Sequence, residues 1–141
     1  MTMSAIEREK KGLPFGWGRF GKAIDHLAEL LEPGEILELT AVGVYSEYRE
    51  QYFGQIGAGL QNVLVGVTDR RLFWIGTNLK GSPVGHHSVE WADLTEFTVT
   101  SDKKRSIILG WAGGAFAVDS IAKSAFEDLV TAVAAHADVR R

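Results

Sequence analysis

Val63-Leu-Val-Gly-Val-Thr-Asp-Arg-Arg-Leu-Phe-Trp-Ile75 is the stretch on which the reading of this chain turns. Two runs of β-branched and aromatic residues flank a short polar joint, Thr68-Asp69-Arg70-Arg71. Runs of this length and type read as strands, and the joint reads as a hairpin turn. Asp69 is expected to bond backbone amides within that turn. One of Arg70 and Arg71 is expected beside an acidic residue of a neighbouring strand, the other in solvent.

Outward from the hairpin, the same two-residue period continues. Glu35 to Tyr45 reads as a strand with Leu37, Leu39, Ala41 and Gly43 on one face. Strands also follow over 84–90, 94–100, 105–110 and 115–118, so that seven strands occupy 35–118. Two amphipathic helices bracket them. Phe20, Ala23, Ile24, Leu27, Leu30 and Leu31 recur at helical spacing over 19–32, where Pro33-Gly34 stops the helix. Ile121, Ala125, Phe126, Leu129, Val130 and Val133 define a second helix over 120–136, with Asp119 or Ser120 as its cap. Residues 1–18 are polar, then punctuated by glycine and proline, and read as a flexible arm. The expectation is one domain over 19–137, mainly β with helices (α+β). Seven antiparallel strands form a partly open barrel capped by the C-terminal helix, with an extra N-terminal helix.

Composition narrows the function classes. The 141 residues carry a formal net charge of −3, against the basic excess that nucleic-acid binding requires. Cysteine is absent, which removes disulfides, thiolate nucleophiles and cysteine metal sites. Met1 to Lys11 holds no apolar signal core, and no apolar run reaches membrane-spanning length, so the cytoplasm is the expected compartment.

From Phe20 to Ala135 the chain resembles the bacterial pleckstrin-homology-like (PH-like) families, near the YokE-type and GRAM-like branches. The residues that carry the resemblance are LLEPGE at 30–35, VLVGVTDRRLFWI at 63–75 and VEWADLTEF at 89–97. The resemblance implies a small binding barrel without catalysis and makes Thr68, Asp69, Arg70 and Arg71 a structural signature. It also puts the ligand-facing end at the loop over 46–60. Tyr48, Tyr52, Phe53, Ile56 and Leu60 make that loop unusually apolar, and such residues either fold back on the core or meet a partner. They are the candidate partner-binding residues, for a protein or a second copy of the chain. Arg49 in this loop is offset by Glu47 and Glu50, so the basic pocket of a phosphoinositide binder is missing. Membrane contact through the loop with Lys103, Lys104 and Arg105 is the alternative.

Candidate chemistry elsewhere is thin. Gly16-Trp-Gly-Arg-Phe-Gly21 matches the dinucleotide fingerprint in form, but no strand delivers it to its helix and no βαβ unit follows. His86 and His87 are adjacent on a strand and should point to opposite faces, and His26 and His136 lie on separate helices. No catalytic residue, cofactor site or metal site is assigned. Trp74, Trp91 and Trp111 are read as core or edge packing.

Overall fold

The computed structural model describes residues 4–13, 17–46, 62–78, 80–100 and 105–137. Among the described residues, three α-helices, α1 (Ala5–Lys11), α2 (Gly21–Leu30) and α3 (Lys123–His136), accompany seven strands. These are β1 (Leu37–Ser46), β2 (Asn62–Thr68), β3 (Arg71–Thr77), β4 (Pro83–Glu90), β5 (Leu94–Thr100), β6 (Ser106–Trp111) and β7 (Gly114–Asp119). Short 3₁₀ turns at Gly18–Phe20 and Trp91–Asp93 lead into α2 and β5. All strands join one antiparallel sheet in the order β4-β3-β2-β1-β7-β6-β5. The sheet is not closed, because β4 and β5 each have a single strand neighbour. No helix among the described residues is long and apolar enough to cross a membrane.

The continuous apolar runs of the hairpin have a direct consequence: β2 and β3 are buried on both faces. Val63, Val65, Val67, Leu72 and Trp74 point to one side, where Val89, Phe97, Ile107, Leu109 and Val118 join them. Both ends of the sheet feed this cluster, so the sheet curls around it, and Phe126, Leu129 and Val133 of α3 complete it. Leu64, Phe73 and Ile75 point to the other side, against Ile24 and Leu27 of α2. Gly66 permits that contact, since a Cβ there would lie 2.6 Å from Leu27 Cδ2.

Three expectations change in the structure. Leu37 does not share a face with Leu39 and Ala41. The β1–β2 register slips by one residue between Leu37↔Thr68 and Leu39↔Val67, so Glu38 is the extra residue of a bulge. Leu37 turns to the α2 side, while Leu39 and Ala41 face the central core. Secondly, part of the expected flexible arm is helical. Ser4 Oγ accepts the Glu7 N–H at 3.1 Å as the cap of α1. A helix of 7 residues is too short to persist alone, and polar contacts hold it to β1. Glu9 Oε1 accepts from Thr40 N–H at 2.7 Å and Thr40 Oγ1 at 2.8 Å, and Arg8 Nη2 donates to Glu38 O at 2.9 Å. Thirdly, α3 starts at Lys123 and neither Asp119 nor Ser120 caps it. Ser120 takes a positive φ of 51°, and Ile121 and Ala122 donate to Arg105 O and Val42 O. Those two amides are tied to β1 and to the residue ahead of β6, which delays the helix.

Candidate binding cleft

The turn Thr68 to Arg71 is a lock between α2, β1 and the hairpin. Thr68 Oγ1 accepts the N–H groups of Arg70 and Arg71 at 3.1 and 3.0 Å, the role expected of Asp69. Asp69 reaches outside the turn, where Oδ1 accepts the Ile36 N–H at 2.8 Å just ahead of β1. Arg71 makes a two-pronged pair with Glu35, Nε to Oε2 at 3.0 Å and Nη2 to Oε1 at 2.8 Å. Nη2 also donates to Leu30 O at the end of α2, at 3.1 Å. Arg70 stays half exposed, 3.5 Å from Glu32 and donating to Pro33 O. The two-pronged acidic partner of Arg71 comes from the loop before β1, and Glu90 of the neighbouring strand β4 stands directly across from it, as expected.

Burial alone would raise the Glu35 carboxyl, but hydrogen bonds from Arg71, the Glu32 amide and Thr68 outweigh it and hold it at about 2. Its ordinary value is 4.5, so the unfolded chain binds more protons between those two values. The stability from this pair is therefore complete above 4.5 and lost as pH falls toward 2. That loss amounts to about 3 kcal/mol, and urea melts at stepwise lower pH measure it. The Glu35→Gln variant is expected to flatten this part of the profile.

His86 and His87 do point to opposite faces. His86 Nδ1 lies 3.1 Å from His26 Nε2 on α2. His87 turns inward, its ring 4.9 Å from Trp74 and stacked 5.6 Å from Trp111. Burial, then the neighbouring imidazole, pushes both groups down, so both favour the neutral form near neutral pH. His136 at the end of α3 stacks on Trp91 and lies 2.8 Å from Glu38. Among the described residues no three metal-ligating side chains gather. In the glycine segment, Gly18 and Gly21 begin a 3₁₀ turn and α2, and the element before them is α1, not a strand.

Tyr48, Tyr52, Phe53, Ile56 and Leu60 lie outside the described residues, as do Lys103 and Lys104. Arg105 is described; its Nε donates to Ile121 O at 2.8 Å.

The open seam of the sheet holds a cleft of about 720 Å³. The 3₁₀ turn Trp91–Asp93 sets it, because this turn carries the chain from β4 to β5 without letting the two strands pair. Trp91 anchors the turn, its Nε1 donating to Thr68 O at 3.0 Å. One wall is the β4 segment His87 to Glu90, and Thr95 and Trp111 form the other. Glu32, Arg71 and Asp93 stand at its rim. Glu90 and Asp93 are exposed, and neither makes an ion pair among the described residues. Sequence reading missed this cleft, since a three-residue link between two strands normally signals a hairpin. The available signal was Trp91: a large ring in a short link favours a buried anchor over a tight turn.

No protein-family model matches the chain, and no curated protein matches it either.

Proposed function

We propose that this chain is a non-catalytic PH-like module of the cytoplasm that binds a protein partner. The observation that carries the reading is the open seam, where β4 offers a strand edge beside an open cleft. Edges of this kind are templates for another chain unless they are covered. One open antiparallel sheet of seven strands, curled around a helix, supports the reading. The polar and ionisable groups that the fold brings together tie its elements to one another: Arg71 to Glu35, Glu9 to Thr40, His136 to Glu38. That is a structural use of them, not the arrangement of an acid and a base around a substrate.

Panning a displayed library of random peptides against the purified chain tests the proposal. Enriched peptides should bind the chain in solution and lose binding when Ser88→Pro removes a β4 amide. Failure of every peptide to bind, with the chain folded, removes the reading. Light scattering in the same buffer separates a second copy of the chain from a foreign partner.

A further inference from the structure

We infer that the β4 seam takes an extended, arginine- or lysine-bearing segment of a partner protein, added as a strand along the β4 edge. The inference rests on the binding-module reading above and names the occupant. Two independent features meet in the cleft. The first is backbone: among the described residues β4 pairs with β3 alone, so half of its main-chain groups face away from that partner. An extended segment laid there would satisfy them as a further strand does, and its side chains would alternate toward the cleft and toward solvent.

The second is chemistry. The cleft places carboxylates and an aromatic wall around the same space. Among the described residues, Glu32, Glu90 and Asp93 line it against a single cation, Arg71, whose guanidinium is already held by Glu35. Glu32 lies near Arg70 and Glu90 faces Arg71 across the β3–β4 pair, yet with Glu35 the four carboxylates outnumber these two cations, and Asp93 makes no ion pair among the described residues. Trp111 lines the opposite wall, its indole packed between His87 and Trp74 and partly exposed to the cleft. A planar cation beside an indole, with carboxylates at the rim, is the combination that favours arginine over an acidic or apolar side chain. The neutral state of His87 adds no like charge against such a guest. The acidic surplus argues against a phosphopeptide or an anionic membrane at this site, because either would meet Glu90 and Asp93 as repulsion.

The test uses a fluorescein-labelled peptide of alternating threonine and arginine, read by anisotropy against the full chain. Three comparisons go with it: the same peptide with glutamate for arginine, a version N-methylated on alternate amides, and the double variant E90Q/D93N. The arginine peptide should bind, and the glutamate and N-methylated peptides should fail. E90Q/D93N should weaken binding about tenfold and flatten its dependence on salt. Both substituted positions are exposed, so an unchanged thermal melt is expected for the variant. Amide exchange should slow in β4 when the peptide is bound. Full affinity for E90Q/D93N, equal binding of the N-methylated peptide, or protection away from β4 each overturns the inference. Should the arginine peptide fail while library peptides of other chemistry bind through β4, the occupant is wrong and the module reading stands. Should no peptide bind, both fall.

Discussion

Arg71→Met is expected to lower the unfolding free energy by about 3–5 kcal/mol, because it strands a buried carboxylate without its partner. Glu35 is fully buried in its side chain and receives hydrogen bonds from Arg71, Thr68 and the Glu32 amide. Removing the guanidinium leaves that charge half-solvated by the remaining donors. It also frees the carbonyl of Leu30 at the end of α2, so the helix loses its tie to the hairpin. Chemical denaturation at neutral pH measures the cost. The pairing account also fixes the double variant: with Glu35→Gln added, much of the loss should return, since no charge is then buried alone. If both single variants and the double lose the same amount, the two side chains act through packing and not as a pair.

A second large effect is expected at Phe126. Its ring belongs to the central core with Leu129 and Val133, and α3 covers the curled face of the sheet with these three residues. Phe126→Ala should cost about 3–5 kcal/mol, as the loss of a buried aromatic and the cavity it leaves. A neutral denaturant melt would place α3 elsewhere. Phe126→Leu, which keeps most of the volume, should recover more than half of the loss.

Much of the secondary structure was legible because its causes are local. β2 and β3, Asn62–Thr68 and Arg71–Thr77, fall on the two apolar runs of the quoted stretch, and β5 runs over the residues that the alternation assigns, Leu94–Thr100. The apolar stripe of Phe20, Ala23, Ile24 and Leu27 is the buried face of the 3₁₀ turn and α2. The site was less legible. The expected partner residues lie in 46–60, and the described residues instead contain a cleft built from β4, a 3₁₀ turn and the end of β6. Glu90 and Asp93 look like ordinary surface charges in the sequence, and Trp111 like edge packing. They line one cleft only because β4 and β5 diverge from the turn between them.

By itself, then, the sequence determined the seven strands, the two helices that bracket them and which hairpin centres the fold. Backbone period, apolar runs and turn residues act over a few neighbours, so a linear text records them. Only the tertiary structure decided the rest. The bulge at Glu38 sends Leu37 and Leu39 to different cores. The ties of Ile121 and Ala122 to Arg105 and Val42 delay α3, and those of α1 to Thr40 and Glu38 hold a helix where an arm was expected. The gap between β4 and β5 belongs with them. Each depends on which distant backbone group is within hydrogen-bond reach once the sheet has curled, and that distance is a property of the packed chain, not of any stretch of it.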